Sequence, residues 1–456
     1  MEKRELENLL NIMTSTGSDY ADIFVENTKT RTIKLLDGRI DNIIVEMIDG
    51  VGLRMCLEHN TYYSALNNCE YSEIESMANK IKNNLNKDRI INEVKLNDLI
   101  DNSNKDLGKC LTDIEKKKYL LNVDTLARSK SSKICQVHAQ ISETEQDVII
   151  ATSLNKYIKD KRFLKRLIIV VYATDGEKKT QSIFSTGTNS DYSFLDNIKL
   201  EEEINKLCET AILKLTAPYA PSGVMPVIIG NDSGVLIHEA CGHALEATSV
   251  ADGDSVLADS LGKRVAKDCV TIIDDGTLPN FWGTLDYDDE GETTKRNILI
   301  DRGIVTGFLV DKKNAKRMSH RVTGSGRRES YKYAPTSRMN NTYLDNGKDN
   351  IEEMIKSIEF GLYAKKMGGG EVHPNTGDFN FGVDEAYVIR NGKIAEMVVG
   401  ASLIGNIKDV LKNIEMVSND LNFAVGLCGS ESGWAPVTDG QPTIKLSNIL
   451  VGGKND

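Results

Sequence analysis

The sequence predicts an α+β protein of two parts. Residues 1–217 are expected to form helices packed on a mostly antiparallel sheet, and residues 218–456 a β-rich rolled sheet or partial barrel that also carries one helix with a histidine motif. Composition marks the division, because all eight prolines lie at or after Pro218 and only seven of the 36 glycines precede it. The segment 216–223, "TAPYAPSG", is typical of a linker or an abrupt entry into a strand.

The N-terminal part alternates strand and helix signals. Its first β-rich segments are "ADIFVEN" and "TRTIKLLDGRIDNIIVE", and the pair Asp37-Gly38 inside the second predicts a tight hairpin. Two helical patterns follow, "YSEIESMANKIKNNL" and "TDIEKKKYLLNVDTLARS", the second opening with a Thr112/Glu115 capping box. The segments "ICQVHAQISETEQDVIIATS" and "RLIIVVYATDGEKKTQSIFS" then read as paired strands.

Beyond residue 218 the pattern changes to short β-rich pieces separated by Gly, Asn and Asp. Hairpin turns are expected at residues 301–303 and at Asn391-Gly392. We predict only one helix in this part, beginning near Ser233 and carrying the sequence "VLIHEACGHALEA". The remaining pieces predict a curved sheet.

Charge and composition exclude several partners. The formal net charge of −11 repels phosphate backbones, so we expect no nucleic-acid partner. The longest apolar run, "LIIVVYA", is long enough for a strand but too short to span a membrane, and no secretory signal opens the chain. The eight cysteines include no CxxC pair, which favours reduced thiols. We therefore expect a cytoplasmic protein without a membrane partner.

The helix "VLIHEACGHALEA" carries the strongest chemical signal. In an HExxH helix the two histidines lie on one face and bind one cation. Here His238 and His243 are five residues apart, which would separate them by about 140° on a regular helix. A single π-bulge would bring positions i and i+5 together, and such bulges are frequent at functional sites. Glu239 follows the first histidine, as the water-activating carboxylate does in zinc peptidases.

A catalytic metal would need a third ligand, and spacing alone does not identify it. Cys241 lies within the helix, whereas Cys428 is distant but flanked by Gly426 and Gly429, which would let the backbone approach a cation. Without a metal, the same residues would form a buried helix whose histidines hydrogen-bond locally. A lone Cys428 would then be a small apolar core residue.

Two further segments are candidates for substrate contact. Arg327 and Arg328 in "GSGRRESYKY" could anchor a peptide carboxylate, since guanidinium groups pair with carboxylates, or they could form a solvated basic turn. Gly369 and Gly370 in "MGGGE" lack the lysine of a phosphate loop, so we expect a backbone segment on which a peptide could lie closely.

Several long segments resemble one family over nearly the whole chain. They include "HEACGHALEA", "TIIDDGTLPNFWGTLDYDDEGETTKRNILIDRGIVTGFL", "GSGRRESYKYAPTSRMNNTYL" and "CGSESGWAPVTDGQPTIKLSNILVGG". These are similar to the TldD branch of the TldD/TldE (PmbA) zinc metallopeptidase family, also called the modulator of DNA gyrase family. The resemblance implies a zinc site of His238, His243 and Cys428, with Glu239 as the catalytic carboxylate. It also implies a dimer, either with a TldE-like paralogue or with a second copy.

The function predicted from these residues is zinc-dependent hydrolysis of unfolded or unstructured peptides, with Glu239 as general base to a metal-activated water. The alternative from another class is a non-catalytic regulatory or binding subunit that acts through protein partners. The retention of Glu239 beside two candidate ligands argues against that alternative. A second alternative is a metallohydrolase that cleaves a small amide, which a series of peptide lengths would distinguish.

Overall fold

The N-terminal part is built on one large sheet. The computed structural model describes residues 1–58, 60–67, 70–83, 93–106, 108–232 and 234–453. The sheet runs in the order β3-β2-β1-β5-β6-β4, with β7 also paired to β6. Only the β4–β6 pair is parallel. Its strands are β1 (Tyr20–Leu36), β2 (Arg39–Leu57), β3 (Asn60–Asn67), β4 (Ile100–Asn102), β5 (Ile134–Thr152), β6 (Tyr157–Thr174) and β7 (Lys179–Thr188).

Four helices cover one face of this sheet: α1 (Lys3–Thr14), α2 (Tyr71–Lys82), α3 (Asp113–Lys130) and α4 (Leu200–Thr216). Odd-numbered side chains of β1, among them Ile23 and Ile33, pack against these helices. The capping box predicted at Thr112 is present at the start of α3. Helices on a largely antiparallel sheet are therefore confirmed. No helix among the described residues is long and apolar enough to cross a membrane.

The three predicted hairpin turns join the strands they were expected to join. In each, two successive residues take positive φ, as a tight two-residue hairpin turn requires. The φ values are 49° and 76° at Asp37-Gly38, 42° and 78° at Arg302-Gly303, and 49° and 70° at Asn391-Gly392. The segments predicted as separate pieces around residue 28 form the single strand β1. Residues 84–92 lie outside the described residues, and residues 93–106 contain β4.

The C-terminal part contains a barrel and a second sheet. Strands β15, β8, β22, β18 and β16 pair in that order, and β16 pairs back to β15, which closes a five-stranded barrel. The other sheet runs β11-β10-β9-β14-β21-β20. The bounds are β8 (Gly223–Ile229), β9 (Ile272–Asp275), β10 (Arg296–Asp301), β11 (Ile304–Val305), β12 (Gly326–Arg327), β13 (Thr336–Ser337), β14 (Asn341–Leu344), β15 (Phe360–Val372), β16 (Asp378–Arg390), β17 (Lys393–Val398), β18 (Ser402–Asn406), β19 (Ile414–Val417), β20 (Asn422–Ser430), β21 (Gly433–Gln441) and β22 (Ile444–Gly452).

The expectation of a single helix beyond residue 218 was wrong. Besides α5 (Val235–Ile237) on the motif segment, the structure contains α6 (Ala247–Asp252), α7 (Lys312–Met318), α8 (Ile351–Lys356) and α9 (Ile407–Asn413). These four helices have six or seven residues each, which is less than two turns. Apolar periodicity cannot be recognised over so short a length.

The motif segment is irregular in the predicted way. Helix α5 continues into a π-turn over His238–Gly242, in which the amide of His243 donates to the carbonyl of His238. A short 3₁₀ turn, His243–Leu245, follows. The predicted i to i+5 turn is thus confirmed, while Ser233, its expected start, lies outside the described residues. Gly242 allows the turn to pack closely, because a Cβ atom there would overlap the sulfur of Met339.

A buried network of charges joins the two parts. Even-numbered residues of β1 face the C-terminal domain, and Asp22 accepts a 2.6 Å hydrogen bond from Arg54 of β2. The same guanidinium donates to Glu290 at 2.6 Å, and Arg328 lies 3.2 Å from the other oxygen of Asp22. All four side chains are nearly inaccessible to solvent. The network ties the N-terminal sheet to the segments 286–292 and 326–331.

Replacement of Arg54 tests this junction. Arg54→Met leaves two carboxylates buried without their shared cation, so we expect the free energy of unfolding to fall by about 3–5 kcal/mol. Urea denaturation of both variants provides the measurement, with Arg4→Met on the exposed side of α1 as the control. Equal stability of the two variants would contradict the importance of the network.

Replacement of Gly242 tests the packing of the π-turn. Gly242→Ala should lower the free energy of unfolding by about 1–3 kcal/mol, because the added methyl group meets the side chain of Met339. Combining it with Met339→Ala should recover part of that loss. Gly369→Ala is the matched control, since a Cβ atom at Gly369 has no neighbour within 4 Å. A Gly242→Ala variant as stable as this control would show that the turn tolerates a side chain.

Candidate metal centre

Three side chains converge beneath the π-turn. The ligand atoms of His238, His243 and Cys428 all lie within 4.8 Å of one another. The Cys428 sulfur is 3.2 Å from Nε2 of His243, and the two imidazole rings are nearly perpendicular, with centroids 5.2 Å apart. The histidines come from the turn, and the cysteine comes from β20, a strand of the second sheet. Two imidazoles and one thiolate form a donor set that is typical of zinc.

Each histidine has a carboxylate at its other ring nitrogen. Nδ1 of His238 lies 2.7 Å from Asp439 on β21, and Nδ1 of His243 lies 2.9 Å from Glu246, three residues further along the chain. Both Nε2 atoms are therefore left for the shared space beside Cys428. Metal-binding histidines in proteins almost always make such a contact, which fixes the ring orientation and raises the basicity of the ligand.

The electrostatics of the cluster favour a thiolate. Burial raises the pKa of the Cys428 thiol, but the adjacent His238 and His243 outweigh this effect and lower it to about 4. Burial lowers the pKa of His243, whereas Glu246 and Cys428 raise it to about 10. The three groups therefore hold opposite charges together in a buried space, and a divalent cation bound there would replace the protons on the imidazoles.

Glu239 lies at the edge of the cluster. Its carboxylate is 3.8 Å from Nε2 of His243, and about a quarter of the side chain is exposed. Burial raises the pKa of Glu239, and the two histidines oppose this rise. The carboxylate is close enough to share a small molecule with the three candidate ligands, and it can exchange protons with solvent.

Arg338 contacts residues on both sides of the cluster, and this role was not predicted from the sequence. Its buried guanidinium donates to the carbonyl of Cys428, and also to Ser432 and Gly433 in the turn between β20 and β21. Its Nε lies 3.9 Å from Glu246, the partner of His243. One side chain thus connects the strand that carries the thiol to the helix that carries the histidines.

Two carboxylates of the site, Asp439 and Glu246, were also not predicted. The His-x-x-Glu spacing from His243 to Glu246 is a local signal that could have identified Glu246, since residues three apart on a helix are neighbours. Asp439 has no local signal, because the pairing of β21 with β20 and with β14 brings it to the site. Cys241, the alternative third ligand, is fully buried in the apolar core and lies outside the three-residue group.

The two arginines considered for substrate binding are buried. Arg327 donates to the carbonyls of Met339 and Pro436, and Arg328 contacts Asp22 and the carbonyl of Asp289. The Arg328 guanidinium thus helps to hold the junction between the two domains, whereas Arg327 joins segments within the C-terminal domain. Direct contact with a substrate carboxylate stays a prediction, and the solvated basic turn is not what the structure contains.

Gly369 and Gly370 lie on β15, where its register with β16 shifts between Met367 and Gly370. Both are exposed. A Cβ atom at Gly370 would overlap Phe381, whereas Gly369 faces open space. The contact predicted between a peptide and this bulged segment stays a prediction.

Comparison with known proteins places the chain in a family. Profiles of the PmbA/TldA metallopeptidase family match at residues 21–85 (domain 1), 108–215 (central domain) and 222–453 (C-terminal domain). The metalloprotease TldD homolog of Haemophilus influenzae is 33% identical, over 100% of this chain and 97% of its own. The zinc metalloprotease TldD homolog of Saccharolobus solfataricus is 27% identical, over 96% and 97%.

The fold agrees with these matches. The crystal structure of TldE from Thermococcus kodakarensis superposes with a TM-score of 0.74 over 98% of this chain and 100% of its own, at 19% identity. The first two profile regions share a single sheet here through the pairing of β1 with β5. With the profiles spanning most of its length and a third of its residues identical to a full-length relative, this chain belongs to the PmbA/TldA metallopeptidase family and is a metallopeptidase.

Proposed function

We propose that this metallopeptidase binds zinc through His238, His243 and Cys428 and hydrolyses unstructured peptides, with Glu239 as the general base. The observation that carries the proposal is the convergence of these three ligand atoms, with the far nitrogen of each imidazole occupied by a carboxylate. Three protein ligands leave a fourth position, as in catalytic rather than structural zinc sites. The name of the Saccharolobus relative supports zinc as the metal.

The residues around the metal site have separable tasks. When bound, the metal would supply a Lewis acid and an activated water nucleophile. Glu239 would take the proton from the nucleophile and return it to the leaving amine, since its carboxylate is partly exposed and only 3.8 Å from a ligand nitrogen. Asp439 and Glu246 would keep both imidazoles oriented, and Arg338 would fix the carbonyl of Cys428.

The strand that carries Cys428 supports an extended substrate. Among the described residues, β20 is an edge strand of its sheet, pairing only with β21. An extended peptide can add to such an edge through main-chain hydrogen bonds, which impose little side-chain preference. Most strands of a folded protein are already paired, so this mode of binding would favour unstructured chains.

Three variants separate metal ligation from proton transfer. Glu239→Ala should keep one metal ion per chain but lose peptide hydrolysis by about 10²–10⁴-fold, because the coordination shell is intact while the base is gone. Cys428→Ala should lose both metal and activity, because one of three ligands is missing. Cys241→Ala, the matched cysteine control, should keep both.

Elemental analysis and cleavage of an unstructured peptide, run together on all three proteins, check these outcomes. A metal-free Glu239→Ala, or a fully metallated and active Cys428→Ala, would show that the roles are assigned wrongly. Peptides of increasing length distinguish a peptidase from a hydrolase of small amides, which would not gain activity with length. Complete absence of hydrolysis in metallated protein would favour the non-catalytic regulatory subunit.

We further propose that the chain works as a dimer, with a TldE-like paralogue or with a second copy. The support is an apolar stripe on β2, where Ile43, Val45 and Met47 alternate along one face and are 37%, 45% and 70% exposed. Strand β3 pairs with β2 only from Gly50 to Leu57, so within the described chain this stretch of β2 also has an unpaired edge. Unprotected apolar edges favour association with another chain.

Two substitutions test this surface. Val45→Glu combined with Met47→Glu should convert the dimer to a monomer, because two charges would be buried in the interface. Ile114→Glu is the control, since Ile114 is 77% exposed but lies on α3. Light scattering at tens of micromolar protein, alone and with a TldE-like protein, provides the measurement. A monomeric wild-type chain under both conditions would overturn the dimer, and a dimeric double variant would overturn its placement on β2.

A further inference from the structure

A large cavity lies between the N-terminal sheet and the β20–β21 hairpin. Its volume is about 590 Å³, which is within the range of ligand-binding pockets. The floor is the even-numbered face of β1 and the matching faces of β2, β5 and β6, opposite the face that the helices cover. The roof is the hairpin that carries Cys428. This space is distinct from the histidine–cysteine cluster, which lies on the other side of the hairpin because successive strand residues face opposite ways.

The middle of the floor, on β1 and β5, consists mainly of uncharged polar side chains. Thr30 of β1 lies opposite Thr144 of β5, and their hydroxyl groups are hydrogen-bonded at 3.0 Å. In the next cross-strand row Thr32 lies opposite Ser142, and Ser142 lies opposite Arg166 of β6. Hydroxyl groups both donate and accept hydrogen bonds, so this floor can satisfy the main chain of a bound peptide.

The roof and one wall are apolar. Leu427 and Trp434 of the hairpin are 50% and 59% exposed, and Trp282 forms the adjoining wall. The chain has only two tryptophans, and both line this cavity. Large exposed apolar side chains inside a concave space are typical of ligand sites.

Arg166 is a cation without a counter-ion in this cavity. Its Nε donates to Ser185 at 3.1 Å, and its guanidinium lies 5.7 Å from the centre of the Trp282 ring. It forms no ion pair with any described residue, whereas Arg162, two rows along the same strand, pairs with Asp160 and Asp289. Burial lowers the pKa of Arg166, and no carboxylate opposes this effect. An anion bound beside it would offset that cost.

The acidic residues of the cavity are not available to neutralise Arg166. Most already accept hydrogen bonds from neighbouring donors; these are Glu26, Asp160, Asp286, Asp289 and Glu329. The remaining one, Glu46, is exposed and lies on β2, which β1 and β5 separate from the strand of Arg166. Lys34 and the buried Arg327, also without an ion pair among the described residues, add further positive charge to the lining.

Trp282 links Arg166 to the strand that carries the thiol. Its ring lies against the guanidinium, and its indole Nε1 donates a 3.0 Å hydrogen bond to the carbonyl of Gly426. Gly426 is two residues before Cys428 on β20. A peptide added to the free edge of β20 would point alternate side chains towards the cluster and towards this cavity.

We propose that this cavity binds a carboxylate of the substrate peptide, with Arg166 as the residue that receives it. The inference rests on the proposed peptidase function and adds a preference to it: a glutamate or aspartate side chain, or a free C-terminus, located a few residues from the bond that is cleaved. The carboxylate meets the uncompensated guanidinium, the main chain meets the hydroxyl floor, and apolar neighbours meet Leu427 and Trp434. Arg166 is a specificity residue and takes no part in the chemistry.

Binding can be measured without hydrolysis, because both tryptophans report on the cavity. The full chain carrying Glu239→Gln is titrated with three short unstructured peptides of one sequence: one with an internal glutamate and an amidated C-terminus, its glutamine counterpart, and the glutamine peptide with a free C-terminus. Tryptophan fluorescence should show that one or both carboxylate peptides bind about 10-fold tighter than the uncharged peptide, as expected for a charge-assisted hydrogen bond. The two carboxylate peptides distinguish a side chain from a terminus.

Added Arg166→Gln should remove this preference, Arg166→Lys should keep part of it, and Arg4→Gln, an exposed arginine on α1 with the same charge change, should keep all of it. In protein with Glu239 intact, Arg166→Gln should raise KM for the preferred peptide about 10-fold and leave kcat unchanged. Equal binding of all three peptides, or a preference that survives Arg166→Gln, would overturn the inference. A preference for the carboxylate in protein that hydrolyses no peptide would instead refute the proposed function and leave this inference standing.

Discussion

The candidate metal centre depends on one backbone hydrogen bond, from the amide of His243 to the carbonyl of His238. In a regular helix the two imidazoles would point about 140° apart and could not meet one ion. The π-turn rotates them onto the same side, where Cys428 approaches from another sheet. The turn is buried, and Gly242 lets it lie directly against Met339. A turn that is rare in isolation is therefore held by the packing around it.

The N-terminal sheet both anchors the C-terminal domain and forms the cavity floor, and strand β1 takes part in both. Near its start, the even-numbered face of β1 is fixed to the C-terminal domain by the buried charges of Asp22, Arg54 and Glu290. Further along, from Thr28 to Lys34, the same face is separated from that domain and forms the cavity floor. Firm attachment at one end and separation at the other produce an enclosed space beside the strand that carries Cys428.

The sequence predicts what short-range patterns and composition encode. The glycine turns at Asp37-Gly38 and Asn391-Gly392, the capping box at Thr112 and the distorted His-Glu-xxx-His turn are all local, and each was predicted from a few residues. The roles of Asp439 and Arg338 were not, because contacts across about 200 and 90 residues of sequence, respectively, bring them to the site. The helices α6 to α9 were missed because they are shorter than two turns. Arg327 and Arg328 were expected to contact a substrate carboxylate or solvent, since a sequence does not show which cations will be buried among carbonyls and carboxylates.

The β20–β21 hairpin unites the two sites because its faces differ chemically. One face presents Cys428, whose thiol loses its proton readily between two imidazoles. The opposite face presents Leu427 and Trp434 to a cavity that contains an uncompensated arginine. A substrate strand along the free edge of β20 would make contacts on both of its faces. The reacting bond would lie beside the thiolate, and a neighbouring side chain would lie beside Arg166. Main-chain pairing would give affinity for any extended peptide, and the cavity would then select among such peptides by charge.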